Sequence, residues 1–470
     1  MNHSEFSRRD WLKTATLTGG FAAFAAPRSS AQAPGDAGKK VRGVIFMVSD
    51  GMSPGVLTMG EAWSRLTRNA GTRWWELMND RKASRGLMDT GSANSMVTDS
   101  AAASSSWGGG ERVNNGSINV RPDGRPLVPL AHSLGKKGVR IGLVSTATIT
   151  HATPAGFAAV CTERGMEEEI ATQYLKTVDV LLGGGSGYFS KDERPDKRDL
   201  SGEFTAAGYD VVGNRDAMLA AKSPKLLGTF ARGHIPYSID RDASDELKRT
   251  VPTLTEMATA ALGRFLDGGS PFLLQVEGAR IDHAAHRNDI GALLRDQIAF
   301  DDALAYVLTA TAGRDDILVV VTSDHGNANP GLNGTGGGYG KTDGLFKSIT
   351  KQTASSEALF SEWTKLARPD DKEAMKGLVS SRLGFDAEDK EITALLEIFA
   401  KKPVIEWNEQ LAKPEGLLGQ FQGNHTGIGW TGTSHTSDPT LVSAFGPQCD
   451  RFTGIVRNTD VHGHLMEMLG

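Results

Sequence analysis

Six short runs of this chain are apolar along nearly their whole length instead of at alternate positions: Val41–Ser49, Val139–Ser145, Val178–Leu182, Pro271–Val276, Ile317–Thr322 and Leu441–Phe445. A strand with one face in water alternates polar and apolar residues, whereas a strand covered on both faces does not. The runs therefore predict a central sheet with helices on both faces. Helix-like stretches fall between them, among them Glu256–Leu266 and Leu293–Ala310. Strand and helix alternate, which is the layout of an α/β fold with a largely parallel sheet. With 470 residues, 39% of them hydrophobic, the chain has enough apolar surface to bury such a core.

Three of the runs end at a group able to bind a cation. Asp50 follows Met47-Val48-Ser49, Glu277 follows Gln275-Val276, and Asp324-His325 follow Val321-Thr322-Ser323. Ligand sites in open α/β sheets collect beyond the carboxyl ends of the strands. Asp50-Gly51 alone fits a turn, but three such ends are harder to explain as turns. The stretch Pro271–Ile290 adds Asp282 and His286, four residues apart and so on one face of a helical turn. A strand that delivers a carboxylate, then an Asp/His pair, suits a divalent metal. A surface ion pair accounts for Asp282 and His286 about as well, so this stretch alone leaves the matter open.

Ser100 opens a helix of small residues, Ser100-Ala101-Ala102-Ala103-Ser104. Its Oγ would sit at the positive end of the helix dipole, where an alkoxide or an anion is favoured. A plain Ser N-cap is the simpler reading of that motif. No GxSxG pattern is present, so activation of this hydroxyl would fall to a metal. His151 and Thr153 follow the second run in a loop. Arg164 falls on an expected helix, where a surface salt bridge is its simplest role. His435, in Trp430–Thr436, precedes the last run.

The N-terminal segment has a different character. Ser7-Arg8-Arg9-Asp10-Trp11-Leu12-Lys13 precedes a weakly apolar run, Ala15–Ala26, and then Ala31-Gln32-Ala33. Residues 1–33 read as a twin-arginine signal peptide with a small-residue cleavage site, and the expected product is periplasmic or extracellular. The apolar run is too short and too polar to span a membrane. Residues 40–470 read as a single catalytic domain. Within it, residues from about 331 to 420 pass from a Gly-rich loop into polar, helix-like sequence (Ser355–Ala367, Asp370–Arg382, Asp389–Lys401), a helical insertion lying over the sheet. The net charge of −5 is interspersed along the chain and does not suggest a nucleic-acid partner. Cys161 and Cys449 belong to no CxxC motif and leave pairing open.

Taken together, these blocks resemble the alkaline phosphatase family. The matching segments are Ser49-Asp50-Gly51-Met52; Thr98-Asp99-Ser100-Ala101-Ala102; Thr153-Pro154-Ala155 with Arg164; Val276-Glu277-Gly278-Ala279 with Asp282 and His286; Val321-Thr322-Ser323-Asp324-His325; and His435-Thr436 before Gly446-Pro447. Each block is weak alone, but they run in family order over nearly the whole chain. The resemblance implies hydrolysis of phosphate monoesters through a phosphoserine at Ser100, with Arg164 gripping the phosphate. It implies one zinc on Asp282, His286 and His435, and a second on Asp50, Asp324 and His325 beside Ser100. A third metal, usually magnesium, would use Asp50, Thr153 and Glu277. His151 and His283 stand where some members carry Asp and Lys and others His, so the third metal is less fixed than the zincs. His283 is left open between an extra ligand and a phosphate or water contact. His425, in Asn424-His425-Thr426-Gly427, imitates the His-Thr motif, but its distance to Gly446-Pro447 does not match. The family also implies a homodimer. Related metal-dependent hydrolases act on phosphodiesters, sulfate esters or phosphonates, but a Ser nucleophile with Arg164 favours monoesters. A non-catalytic binding protein would not need the nucleophile.

Overall fold

In the computed structural model, residues 40–334, 339–366, 370–402 and 405–470 are described; the twin-arginine segment read in residues 1–33 lies outside them. The main sheet has ten strands, numbered here in chain order: β1 (Gly43–Ser49), β2 (Ser84–Met88), β3 (Arg140–Thr148), β4 (Val180–Gly184), β5 (Asp210–Val212), β6 (Leu226–Thr229), β7 (Phe272–Gly278), β8 (Ile317–Thr322), β9 (Thr440–Phe445) and β10 (Gly454–Val456). Their order across the sheet is β10-β2-β9-β8-β1-β7-β3-β4-β6-β5. Strand β9 is antiparallel to both neighbours, and the other pairings are parallel.

The central strands explain the uninterrupted apolar runs. Every residue of β1, β7 and β8 is buried, and alternate side chains enter opposite layers. Ile45, Met47, Leu274, Val276, Val319 and Val321 pack with helices Leu254–Leu266 and Ile290–Ala310. Val44, Phe46, Val48, Leu273, Leu318 and Val320 pack on the other face, with helices Ser100–Gly109 and Asp460–Leu469. Strands β2, β5, β6 and β10 lack such runs. β5 and β10 are three-residue edge strands, and β2 is fully buried only at its two ends.

The stretch from 331 onward is helical, with helices Thr342–Ser348, Ser356–Trp363, Lys372–Leu383, Asp389–Phe399 and Pro414–Thr426. Leu359, Trp363, Met375, Val379, Ile392 and Leu395 form a separate apolar cluster there. Gly331–Leu332 pairs with Ile428–Gly429 where the stretch leaves and rejoins the body. Two carboxylates, the buried Asp289 and the half-buried Asp240, tie it down. Asp289 accepts from Gln352 Nε2 (3.1 Å) and Ser356 N (2.5 Å), and Asp240 accepts from Ser355 N (2.8 Å) and Oγ (2.6 Å). Cys161 and Cys449 are both free thiols. Among the described residues no helix is long and apolar enough to cross a membrane.

Three features of this fold set up the site. Strands β7, β1 and β8 are neighbours in register, so Asp50, Glu277 and Asp324 emerge side by side at their carboxyl ends. Helix Ser100–Gly109 packs directly on helix Ala152–Ala158, with Ser104 Oγ donating to the Ala152 carbonyl (2.9 Å). Finally, two glycines permit that approach: a β-carbon on Gly108 would collide with the Gly156 carbonyl, and one on Gly156 with Ser104. Replacing either glycine by Ala should destabilise the protein by about 1–3 kcal/mol through overpacking. Gly135→Ala, where an added β-carbon meets open space, should stay within about 0.5 kcal/mol of the parent. Denaturant midpoints measure all three.

Candidate active site

Asp99, not Ser100, caps the helix that carries the serine. Its Oδ1 accepts the Ala102 N–H (2.9 Å), and Ser100 is the first residue inside the helix. The simpler N-cap role therefore falls to the neighbour, and Ser100 Oγ is left free to lie 3.1 Å from His325 Nε2. Asp99 Oδ2 accepts from the Gly116 N–H (3.0 Å) and from the Arg164 guanidinium (3.0 Å). One carboxylate thus fixes the helix start, a loop and an arginine together.

Two local expectations need correction. Arg164 is in a turn, not a helix; the helix starts at Glu167. The Arg164 N–H donates to the Gly116 carbonyl (2.7 Å), a tether to a distant loop that draws it out of the helix. Thr153 is not in a loop. His151 occupies the N-cap position of helix Ala152–Ala158, and Thr153 lies within its first turn.

The buried carboxylates crowd one another. Burial pushes the Asp50 carboxyl well above its usual range, and the charges of Asp324, Asp282 and Glu277 push it further. Burial raises the Glu277 carboxyl to about 7 against the opposing pull of the Ser145 hydroxyl, which donates to its Oε2 at 2.6 Å. Both oxygens of Asp50, Thr153 Oγ1, Glu277 Oε1 and Asp324 Oδ2 are buried without a hydrogen-bond partner. Five such atoms in one place are costly unless a cation fills the gap.

The imidazoles give the same indication. His286 Nδ1 donates to the Thr433 carbonyl (2.7 Å) and His435 Nδ1 to the Thr98 carbonyl (2.8 Å). Each ring therefore presents Nε2 as its lone-pair atom, and the two Nε2 atoms are 3.0 Å apart. Two lone pairs at that distance repel unless a proton or a metal lies between them. Asp282 stands beside both, 3.4 Å from His286 Nε2 and 3.6 Å from His435 Nε2. Against the effect of burial, Asp282 lifts His286 to about 9, whereas burial and His325 push His435 down to about 4. His325 stacks on His435 at 3.7 Å and lies 3.1 Å from Asp324 Oδ2.

Donor atoms within 4.8 Å of one another form three groups: Asp282–His325–His435, Asp50–Asp324–His325 and Asp50–His151–Glu277. His425 is elsewhere, stacked on Phe385 in the helical stretch. His283 accepts from Arg280 through Nδ1 (2.9 Å) and packs against His151 at 5.5 Å and His234 at 4.5 Å. Four contributors carried no signal of their own in the sequence. Ser145 reaches Glu277 because the two are in register on β3 and β7. Asn327 Nδ2 donates to Asp282 Oδ1 at 2.6 Å. Asp99 and His234 completed the set.

Carboxylates, imidazoles and a serine hydroxyl gathered at the carboxyl edge of a parallel sheet suit a metal-assisted ester hydrolase. Residues 41–470 match the family model described as alkaline phosphatase. The chain is 27% identical to alkaline phosphatase 4 of Bacillus subtilis (strain 168), over 92% of this chain and 89% of that one. Its fold is similar to that of Thermus thermophilus alkaline phosphatase, with a TM-score of 0.85 and 33% identity over 94% of this chain and 95% of that one. A cold-active alkaline phosphatase from a Shewanella species gives 0.74 and 28%, covering 91% and 100%. The chain belongs to the alkaline phosphatase family. It is a phosphomonoester hydrolase, and membership implies bound metal ions.

The proton on the His286–Asp282 pair has a measurable consequence. His286 is raised from its usual value to about 9, so below that pH a metal must displace a proton to reach Nε2. Apparent zinc affinity should fall about tenfold for each unit of pH below 9 and level off above it. Competition titrations with a zinc-binding dye at several pH values test this, and a flat profile would contradict it.

Proposed function

We propose that Ser100 Oγ is the nucleophile of a two-step hydrolysis that passes through a phosphoserine. The observation that carries this reading is the position of Ser100, 3.1 Å from His325 Nε2 on one side and next in sequence to Asp99, which grips Arg164. Ser100 Oγ bonds to phosphorus as the ester P–O bond breaks; the serine proton passes to solvent, and the departing ester oxygen takes one up to leave as the alcohol. Water then cleaves the phosphoserine, releasing phosphate and restoring the hydroxyl. The N-terminus of helix Ser100–Gly109 favours the negative charge held there.

Arg164 supplies a planar fork for two non-bridging phosphate oxygens. Asp99 and His151 Nε2, 3.1 Å from its other terminal nitrogen, hold the fork in place. A diester would set an alkyl group against it, which favours monoesters.

Asp282, His286 and His435 would hold one zinc, and Asp50, Asp324 and His325 a second. Mixed nitrogen and oxygen donors suit that ion. Asp50, Thr153 and Glu277 offer oxygen alone and would suit magnesium. The five partnerless oxygens in these sets support that assignment. Such ions supply Lewis acidity that lowers the pKa of a hydroxyl and offsets charge on the leaving oxygen. Export by the twin-arginine route and assembly as a homodimer belong to the same proposal; they rest on Arg8-Arg9 and on family resemblance.

Ser100→Ala should lose at least about a thousandfold in turnover of p-nitrophenyl phosphate; a variant with full turnover overturns the nucleophile. Arg164→Ala should lose about 10²–10³-fold in kcat/KM, and Arg164→Lys should recover little of it. Faster hydrolysis of bis-p-nitrophenyl phosphate than of the monoester would overturn the substrate class. Elemental analysis of the purified protein should find two zinc and one magnesium per chain.

A further inference from the structure

A cavity of about 400 Å³ opens beside His286. His286 has 38% of its side chain exposed and lines this cavity; Ser100, held at His325, is not among the lining residues. In an in-line displacement the leaving oxygen departs opposite the attacking one. The alcohol portion of a monoester therefore lies away from Ser100, and the cavity beside His286, which Ser100 does not line, is a space open to it.

The cavity wall is rich in hydrogen-bond donors. His234 Nδ1 accepts the backbone N–H of Thr148 (3.1 Å), and His283 Nδ1 accepts from the Arg280 guanidinium (2.9 Å). An amide N–H and a guanidinium only donate, so each neutral ring carries its hydrogen on Nε2. Both rings line the cavity. The carboxylates in the wall are already engaged. Glu357 is shared by Arg280 (3.2 Å) and Arg287 (3.4 Å), and Glu415 accepts from Arg287 (3.1 Å).

One cation is left over. Exposed Lys413 donates to Thr433 Oγ1 (3.3 Å) and has no carboxylate partner among the described residues. The carbonyl of the same Thr433 accepts from His286 Nδ1 (2.7 Å). The uncompensated ammonium is thus one residue away from the ring at the edge of the site. Three cationic side chains face two carboxylates here, an excess of one positive charge.

We propose that this cavity is a leaving-group subsite for alcohols that carry a second anionic group, a carboxylate or a phosphate, with Lys413 as its cation and the Nε2–H groups of His234 and His283 as its donors. The proposal rests on the phosphomonoesterase reading of the site. It makes Lys413 a specificity residue that sorts substrates by the charge of the departing alcohol.

The test compares two monoesters of matched size, 2-phosphoglycerate and glycerol 2-phosphate, on the metal-loaded enzyme. They differ in a carboxylate on the leaving alcohol. The ratio of their kcat/KM values should fall about tenfold in Lys413→Glu, because a like charge now faces the carboxylate. Lys413→Arg should hold the ratio within about twofold, since the charge is kept. Added salt should lower the wild-type ratio and leave that of Lys413→Glu flat or rising. Hydrolysis of both esters with a ratio that Lys413→Glu does not move overturns the subsite and leaves the phosphomonoesterase intact. Hydrolysis of neither by the wild type overturns both.

Discussion

Asp50, Glu277 and Asp324, buried side by side at the ends of three adjacent parallel strands, set the terms for everything around them. Burying one carboxylate without a partner is costly, and burying several together is more so, because each raises the cost of ionising the next. Among the described residues no buried Lys or Arg relieves this at the same spot. The chain leaves both oxygens of Asp50 and one each of Glu277 and Asp324 without a hydrogen-bond donor, and it aims imidazole lone pairs at the same region. A protein built this way is complete only with cations in place. The strand register that creates the crowding also specifies where they go.

Asp99 is the second organising group. As an N-cap it satisfies the start of the Ser100 helix; as an acceptor it holds Gly116 and Arg164. Arg164 is tethered to the same loop through its backbone N–H. The guanidinium therefore has its position set from two directions before any substrate arrives. This matters because a planar fork contributes most when it need not be ordered on binding. The contact of helix Ser100–Gly109 with helix Ala152–Ala158 performs the same service for Thr153 and His151, by way of two glycines with no room for a side chain.

What could be read from sequence follows from where each element sits. The core strands β1, β7 and β8 were legible because covering both faces leaves an uninterrupted apolar signature. Edge strands such as β5 and β10 carry no such signature, and their existence depends on a neighbour that the local sequence does not name. The reversed direction of β9 was equally hidden, since an apolar run looks the same in either sense. Candidate ligands were legible where they end a core strand or follow one at helical spacing. Partners such as Ser145 and Asn327 were not, because a lone Ser or Asn has no pattern, and each joins the site only through contact with a strand or loop distant in sequence. Arg164, expected on a helix, lies in a turn because the Gly116 tether that draws it out is a tertiary bond that local sequence does not show.

Charge balance connects the inner site to its substrate. Four carboxylates, those of Asp50, Glu277, Asp282 and Asp324, face the proposed three divalent cations, and the inner site then holds two positive charges in excess. Arg164 adds a third, which its ion pair with Asp99 offsets. A phosphate monoester dianion, meeting the anion-favouring end of the Ser100 helix, matches the remaining excess of two; a diester, with a single charge, leaves one positive charge uncompensated. Among carboxylates that are themselves buried, that residual charge is expensive. The same preference that the proposed Arg164 fork would impose by shape would therefore be imposed by charge, and the two would act on the same oxygens. Neither depends on the identity of the alcohol. Discrimination among monoesters would then fall to the outer wall, where, in the proposed arrangement, the departing group meets side chains that differ in charge from the carboxylate and imidazole cluster beneath them.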